Sequence, residues 1–382
     1  MCRFHTQDGS PPPRPGGPRQ QKKVLSSASV PSIMVLLFEL SGEHADLPAQ
    51  EALGALEAEG ARPVIVAQAD GVLAVKGRGV SLKLAPVLAK RLALTRKISE
   101  LLYSCEPQDV AKKGKGIELT GKTFCVRAHR IFASVPKELI KPTERDLGSI
   151  IWENNKVKVD LTKPEEVINV IFSDKAYVGR VLAEVDDRFD DRSASKRPFF
   201  SPISLHPKLA RCMVNLARAR RGEYLVDPFC GTGGILIEAG LLGARIVGGD
   251  LFRKMTWGTR KNLDAFGFKG TPIFQGDVGD IPGWLADLRD DHGKRIKVRA
   301  AAMDPPYGRA TRTFGDPVAK IYRRAFEALG EILPAGRYMS ILFPSPHYLE
   351  GDRHGPFELL GRYPFKVHRS LTRHFCVLRR KG

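Results

Sequence analysis

The chain has no C-x-x-C pair: its six cysteines, Cys2, Cys105, Cys125, Cys212, Cys230 and Cys376, are scattered through 382 residues. That spacing excludes a zinc ribbon and a small disulfide scaffold, and makes a reducing cytoplasm the expected compartment. Cys105 and Cys125 leave open one disulfide of a kind seen in thermophiles. Long apolar runs are missing too. Near the N-terminus the longest, Ile33 to Phe38, falls far short of the about 20 residues of a membrane-spanning helix, and no longer run follows. Negative charge is the third shortage: 42 Asp and Glu stand against 61 Lys and Arg, a net of +19. With 42% hydrophobic residues the chain can still bury a core, which excludes wholesale disorder.

The excess positive charge is unevenly placed. Residues 1–33 carry +4, residues 34–190 sum to zero and residues 191–382 carry +15. Inside the neutral stretch, residues 34–75 sum to −6, residues 76–130 to +9 and residues 131–190 to −3. Two basic regions far apart in the chain form a field that attracts polyanions, and neutralising phosphates releases counterions, so nucleic acid leads the partner classes. A generally basic proteome is the competing explanation of the charge alone.

At about 150 residues per domain the length predicts two or three domains. Residues 1–33 read as a disordered tail, broken by Pro11 to Pro13, Pro15, Gly16, Gly17 and Pro18, without the apolar core of a secretory signal. Order is expected from Met34, an alternative start. Strand VLLFEL, a helix over 49–60, strands PVIVAQ and GVLAVKG, and a basic helix from Pro86 to Leu102 follow. The strand, helix and two strands make half of a ferredoxin-like split unit. FCVRAHRIF (124–132), VKVDL near Val157 and INVIFSDKAYVGRVLAEV from Ile168 are further strand candidates, with a helix between the first two. Residues 186–204 change to a polar, proline-bearing composition and read as an interdomain linker.

Beyond the linker, strands and helices alternate. Strand EYLVDPF, helix 233–242, strand ARIVGGDL, helix 253–266, strand PIFQGDV, a short helix 284–290, strand VRAAAMDPP, helix 318–333 and strand RYMSILFPS predict a doubly wound parallel sheet. FELLGRYPFKVHR and LTRHFCVLRR add a terminal hairpin at the sheet edge.

VDPFCGTGGILIE, Val226 to Glu238, is the strongest local signal. A strand ends at Asp227, a turn through Gly231, Gly233 and Gly234 lets backbone approach a ligand closely, and a helix opens behind it. A nucleotide-like ligand is expected there, with Asp227, Phe229, Gly231 and Gly233 around it. The next strand ends at Asp250, where a carboxylate can accept from both ribose hydroxyls, and the third at Asp277, within reach of an adenine amine. A dinucleotide fingerprint would need a third glycine where Leu236 stands, which argues against NAD.

The fourth strand ends in MDPPYG. The Asp304 carboxylate and the Pro305 carbonyl can both accept from one exocyclic NH2, and Tyr307 offers a face for a base to stack on. Paired prolines fix φ and stiffen the strand end. A proline-rich turn after a buried strand is the plainer alternative.

In this order and spacing, DPFCGTGG, Asp250, Asp277 and DPPYG resemble the S-adenosylmethionine-dependent amino-methyltransferases of the class I, Rossmann-like α/β fold. The upstream arrangement is similar to the archaeal tRNA (guanine(10)-N2)-methyltransferases, and RPFFSPISLHPKLARCMVNLARA, residues 197–219, resembles the pre-core segment of that family. The likeness spans residues 34–382; the tail is outside it. It implies an α+β ferredoxin-like domain over 34–90, a THUMP RNA-binding domain over 91–185, a linker over 186–204 and a methyltransferase domain over 205–382. THUMP-bearing ribosomal RNA enzymes tend to carry Asn where Asp304 stands, which favours tRNA.

The implied activity is methyl transfer from S-adenosylmethionine to N2 of a guanosine in tRNA, at position 10, once or twice. Methylation at another tRNA position or in ribosomal RNA is the nearest alternative; a non-catalytic RNA-binding module is the alternative of another class. A monomer without metal is expected. Lys112, Lys113, Lys115, Lys122, Arg127 and Arg130 could grip the tRNA acceptor end, and Arg309 and Arg312 could meet phosphates beside the flipped base; a solvated surface charge is the competing reading of each one. GIELTGKT, residues 116–123, matches a phosphate-loop pattern but lies between a coil and a strand, not a strand and a helix. His129, His206 and His374 are unclustered and read as residues with helix or packing roles.

Overall fold

The computed structural model describes residues 34–202, 204–307, 317–345, 347, 354–368 and 371–382. Residues 34–382 form one compact unit. Among the described residues no helix is long and apolar enough to cross a membrane.

The N-terminal half runs β1 (Leu36–Leu40), α1 (Leu47–Ala58), β2 (Arg62–Ala69), β3 (Val72–Arg78), α2 (Ala85–Arg91), β4 (Thr95–Cys105), α3 (Val110–Lys113), β5 (Thr123–Arg130), α4 (Ile140–Asn155), β6 (Lys158–Val159), β7 (Glu166–Phe172) and β8 (Ala176–Glu184). Its strands make one eight-stranded sheet in the order β2-β3-β1-β4-β8-β7-β5-β6. Strand β4 pairs with β1 on one side and β8 on the other, so segments 34–90 and 91–185 share a single sheet.

That strand corrects the expected helix over 86–102, which ends at Arg91. Ile98, Leu101, Leu102 and Cys105 fall at helical spacing because the pairing with β8 shifts register between Ile98 and Ser99 and again between Leu101 and Tyr103. The first shift places its extra residue, Leu182, in β8, but the second places Leu102 in β4 and the pairing with β1 adds Arg96, so a bulged strand imitates a period of 3.6. Two waiting strand edges outweigh the local pattern.

The stretch of residues 186–202 and 204 is bound to the second half by side-chain contacts. Phe189 is buried, and Arg192 clamps the fully buried Glu238 with two side-chain hydrogen bonds, Nε to Oε1 at 2.5 Å and Nη2 to Oε2 at 3.0 Å. Beyond it come α5 (Pro207–Leu216), β9 (Tyr224–Asp227), α6 (Gly234–Leu241), β10 (Arg245–Asp250), α7 (Arg253–Ala265), β11 (Ile273–Gln275), α8 (Ile281–Ala286), β12 (Val298–Met303), α9 (Val318–Ile332), β13 (Tyr338–Phe343), β14 (Phe357–His368) and β15 (Leu371–Arg380). Helix α8 starts earlier than the expected 284–290, because Asp277 and Asp280 form a reciprocal capping box just before it.

The second sheet has the order β11-β10-β9-β12-β13-β15-β14. Strands β9 to β13 are mutually parallel; β15 runs antiparallel to β13, and β14 antiparallel to β15. The hairpin is therefore inserted so that β15, the last strand, lies inside β14. One face of the sheet is covered through Met213, Leu216, Leu236 and Leu263, the other through Ile281, Tyr322, Phe326 and Leu329. In α9 the buried Ile321, Tyr322, Ala325, Phe326 and Leu329 recur at the helical period, which fixes the face it turns inward. The doubly wound architecture read from the sequence is what the chain adopts.

Candidate active site

Strand β9 lies between β10 and β12, and the sheet order reverses there. At such a switch point the connections leave in opposite directions and open a crevice beyond the carboxyl ends of the strands. Asp227 closes β9, Asp250 closes β10, and Asp304 follows β12 directly. Three of the four acids expected from the motifs are thus brought to one edge.

The turn after β9 is built around glycine. Gly231 and Gly233 hold φ of +53° and +82°, and a Cβ added to Gly233 would lie 3.1 Å from Thr259 Cγ2. Thr259 Oγ1 donates to the Gly231 carbonyl at 2.7 Å, and the Gly231 N–H donates to Asp250 Oδ2 at 3.0 Å. Asp250 Oδ1 accepts from the Phe252 N–H at 2.9 Å, and Asp227 Oδ1 from the Phe229 N–H at 3.1 Å. Two carboxylates therefore set the loop from below.

Segment 197–204 supports the same turn from outside. Phe199 exchanges backbone bonds with Asn262, at 2.8 Å to Oδ1 and 2.9 Å from Nδ2, and that amide also reaches the Thr232 carbonyl at 2.9 Å. Ser204 Oγ lies 2.9 Å from Thr232 Oγ1. Asn262, Thr259 and Ser204 carry no motif of their own, and only their spatial meeting reveals them.

Burial raises the Asp227 carboxyl well above the usual carboxylate range; the Phe229 N–H opposes this, and the neighbouring Asp304 and Asp250 charges add to it. Asp250 is raised by burial against the two N–H donors. Asp277 departs from a simple strand-end acceptor. Its Oδ1 caps the Gly279 N–H at 2.9 Å and its Oδ2 pairs with Arg324 Nη2 at 2.9 Å, so it anchors the turn before α8 to α9.

Asp304 sits in a polar knot. The Tyr307 hydroxyl donates to Oδ1, and Arg373 Nη1 of β15 lies 3.5 Å from Oδ2. The arginine also stands over the Tyr307 ring, 5.2 Å from its centroid. Pro305 is buried, and the Pro306 carbonyl accepts from the Tyr322 hydroxyl at 3.1 Å, which ties this corner to α9. Burial raises the Asp304 carboxyl, opposed by Arg373 and the Tyr307 hydroxyl. Its side chain keeps 18% exposure, enough for a small group to reach it. Tyr307, expected to present an open ring face, is raised by burial and by the Asp304 charge and has its hydroxyl turned onto that carboxylate. Arg373 was not anticipated.

Of the basic candidates, Lys112, Lys113, Lys115 and Lys122 are exposed, on α3 and the loop after it. Arg127 and Arg130 are partly buried and tie loops, the first to the Leu161 carbonyl and the second to the Val135 carbonyl at 2.5 Å. Arg309 and Arg312 lie outside the described residues. In the 116–123 loop the N–H groups of Thr120 and Gly121 go to Glu166 and that of Lys122 to Glu165, and strand β5 follows, so carboxylates fill the place a phosphate would need. His206 caps α5 and lies 2.8 Å from Asp190; His129 lies 3.2 Å from Glu39. Cys105 and Cys125 are free, buried thiols. Among the described residues no three or more His, Cys, Asp or Glu gather to hold a metal.

Known proteins place this geometry. A family model described as an RMKL-like methyltransferase domain matches residues 194–351. The tRNA (guanine(10)-N2)-dimethyltransferase of Methanothermobacter thermautotrophicus is 36% identical over 354 residues, covering 91% of this chain and 100% of that protein. The chain belongs to that family. The Pyrococcus abyssi enzyme of the same name is 36% identical over 76% of this chain and 85% of its own length. The family fold is that of a solved relative, TrmN from Thermus thermophilus, which covers 91% of this chain and 99% of its own at 20% identity and a TM-score of 0.50. The resemblance read from DPFCGTGG and DPPYG is borne out at the level of family and fold.

Proposed function

We propose that the chain transfers methyl groups from S-adenosylmethionine to the exocyclic N2 of guanosine 10 in tRNA. The observation that carries this reading is Asp304, a carboxylate with a partly open face at the end of β12, one strand from the glycine turn of β9. The names of the family members supply the base, the atom and the position, and a second transfer accords with their dimethyl products.

The residues at the turn fit the cofactor. A Cβ at Gly233 would press on Thr259, whose hydroxyl holds the Gly231 carbonyl, Asp250 retains lone pairs for the ribose hydroxyls after its two N–H bonds, and Asp277 retains one on each oxygen for the adenine amine. Asp227, Phe229 and Gly231 form the floor beneath. When bound, S-adenosylmethionine supplies a methyl carbon on a sulfonium that takes the C–S bonding pair as the methyl leaves.

Guanine N2 is a poor nucleophile because its lone pair is delocalised into the ring. Asp304 and the Pro305 carbonyl hold its two N–H bonds, which aims the remaining orbital and stabilises the positive charge that develops on nitrogen. The base must leave its stack to arrive there, and Tyr307, released from Asp304, is the face it meets. The alkylated nitrogen is acidic and gives up its proton late, to Asp304 or to water. After one transfer one N–H remains for one of the two acceptors, so a second transfer is chemically possible.

The exposed lysines of the N-terminal half and the basic methyltransferase half suit one folded RNA held at two places. Nucleoside mass spectrometry of a tRNA transcript before and after treatment tests the reading. Asp304→Ala is expected to lower turnover by about 10²–10³-fold, in the range for loss of a transition-state-stabilising group, while S-adenosylhomocysteine binding stays within a few-fold of wild type. Methylation at another guanosine would redirect the substrate assignment, and retention of most turnover by Asp304→Ala would refute the mechanism.

A further inference from the structure

We propose that Arg373 is a positioning residue for methyl transfer: its guanidinium holds the Asp304 carboxylate in the ionised form in which both oxygens can accept from the substrate amine. This rests on the reading of Asp304 as the acceptor of the amine N–H.

The geometry is of an arginine placed for its charge. Arg373 comes from β15, with a side chain 15% exposed, yet its contact with Asp304 Oδ2 is a loose 3.5 Å. Its Nε is buried and without a hydrogen-bond partner among the described residues. A residue serving mainly to fasten the hairpin would be expected to satisfy its fork; this one leaves Nε unsatisfied and keeps its head against Asp304 and the Tyr307 ring.

Among the described residues, four elements and the segment after β12 bring polar groups to Asp304 or its neighbours. Strand β9 contributes the Asp227 carboxyl, and β10 contributes Asp250, which acts on Asp227. The segment after β12 contributes the Tyr307 hydroxyl, and α9 contributes Tyr322, which holds the Pro306 carbonyl. Strand β15 contributes Arg373, the one cation among the described residues acting on Asp304. Without it, burial favours the neutral acid, and among the described residues the Tyr307 hydroxyl is left to oppose it.

Protonation would matter chemically. A neutral Asp304 carries an O–H donor that would face the N–H donors of the amine, and it would lose the negative charge set against the charge developing on N2. Arg373 thus acts through Asp304, and the hairpin at the far end of the chain becomes part of the reaction's acid limit.

The test is kcat/KM for N2-methylation of a tRNA transcript from about pH 5 to pH 9, with wild type, Arg373→Gln and Arg373→Lys. An opposite charge this close depresses a carboxylate pKa by about one to three units. The acid limb of Arg373→Gln is therefore expected about one to three pH units above that of wild type, with activity recovering as pH rises, and Arg373→Lys is expected to return the limb toward the wild-type position. Calorimetric binding of S-adenosylhomocysteine reports that each variant is folded. A limb that stays in place in Arg373→Gln, or a loss by one factor at every pH, overturns the proposal and leaves the reading of Asp304 standing. Absence of N2-methylguanosine with wild type overturns that reading, and the proposal with it.

Discussion

Glu51 of α1 bonds across the two halves of the chain, and its removal is predicted to loosen the N-terminal half from the catalytic half. The side chain is fully buried. Oε1 accepts from the Ala93 N–H at 2.9 Å and from Asn215 Nδ2 at 2.7 Å, and Oε2 accepts from the Leu94 N–H at 2.7 Å. Asn215 lies on α5, so one carboxylate joins the turn before β4 to the first helix of the methyltransferase domain. Neighbouring bonds run the same way: Asn215 Nδ2 reaches the Arg91 carbonyl at 3.0 Å, Arg211 the Lys90 carbonyl at 2.9 Å, and Arg91 the Ala219 carbonyl. Gly54 allows this approach, since a Cβ there would fall 2.7 Å from the Asn215 carbonyl oxygen.

Glu51→Ala strands three buried donors at about 1–3 kcal/mol each, and partial relaxation brings the expected loss to about 3–5 kcal/mol, a large fraction of the about 5–15 kcal/mol that holds a typical domain. Glu51→Gln keeps its carbonyl toward Ala93 and Asn215 but turns an NH2 onto the Leu94 N–H, for a loss of about 1–3 kcal/mol. Urea denaturation followed by tryptophan fluorescence measures both. Trp152 reports on the N-terminal half, and Trp257 and Trp284 on the catalytic half. The two signals are expected to separate in Glu51→Ala. A loss under about 1 kcal/mol, or a Gln variant as unstable as the Ala variant, would refute the assignment of these bonds.

Two further outcomes follow from buried geometry. Gly233→Ala forces a side chain into a φ of +82° against Thr259, and a left-handed residue costs about 1–2 kcal/mol, so S-adenosylhomocysteine binding by calorimetry is expected to weaken about tenfold; unchanged affinity would mean the turn is not the cradle. Glu39 is raised by burial, but His129, Lys97 and Asn169 together bring its carboxyl below the ordinary value, so the stability it contributes is present above that value and is lost as pH falls through the lowered one. Urea midpoints between about pH 6 and pH 3 should fall less steeply in Glu39→Gln than in wild type, and parallel slopes would show the cluster contributes nothing.

The methyltransferase half was legible because its elements carry their own periods. Strands β9, β12 and β13 are apolar runs that suit burial on both faces, α9 repeats its apolar face every third or fourth residue, and Asp227, Asp250 and Asp304 stand at strand ends, where chain geometry alone brings them to the crevice. The N-terminal half was less legible where pairing overrode pattern. No local rule reads β4 correctly, because the bulges that bend it are set by its partners β1 and β8. The polar stretch 186–204 gives no local sign of its partners, because Glu238 on α6 and Asn262 on α7 lie 46 and 63 residues beyond Arg192 and Phe199, the residues they bind.

The same distinction explains why Asp304 was found and Arg373 was not. Asp304 announces itself through the two prolines and the tyrosine behind it, a cluster with few uses other than to stiffen and expose a carboxylate. Arg373 stands in LTRHFCVLRR, among several basic residues of an apparent edge hairpin, with no local feature to distinguish it. What selects it is topology: β15 inserts between β13 and β14, so the strand following the hairpin turn runs toward the core of the sheet, and its residues near Phe375 and Arg373 come level with the ends of β13 and β12. An α/β sheet that closes with an inward-turned hairpin can therefore place a cation beside the carboxylate that the fourth strand delivers. The two groups are 69 residues apart in sequence and 3.5 Å apart in space, and the chemistry depends on the second number.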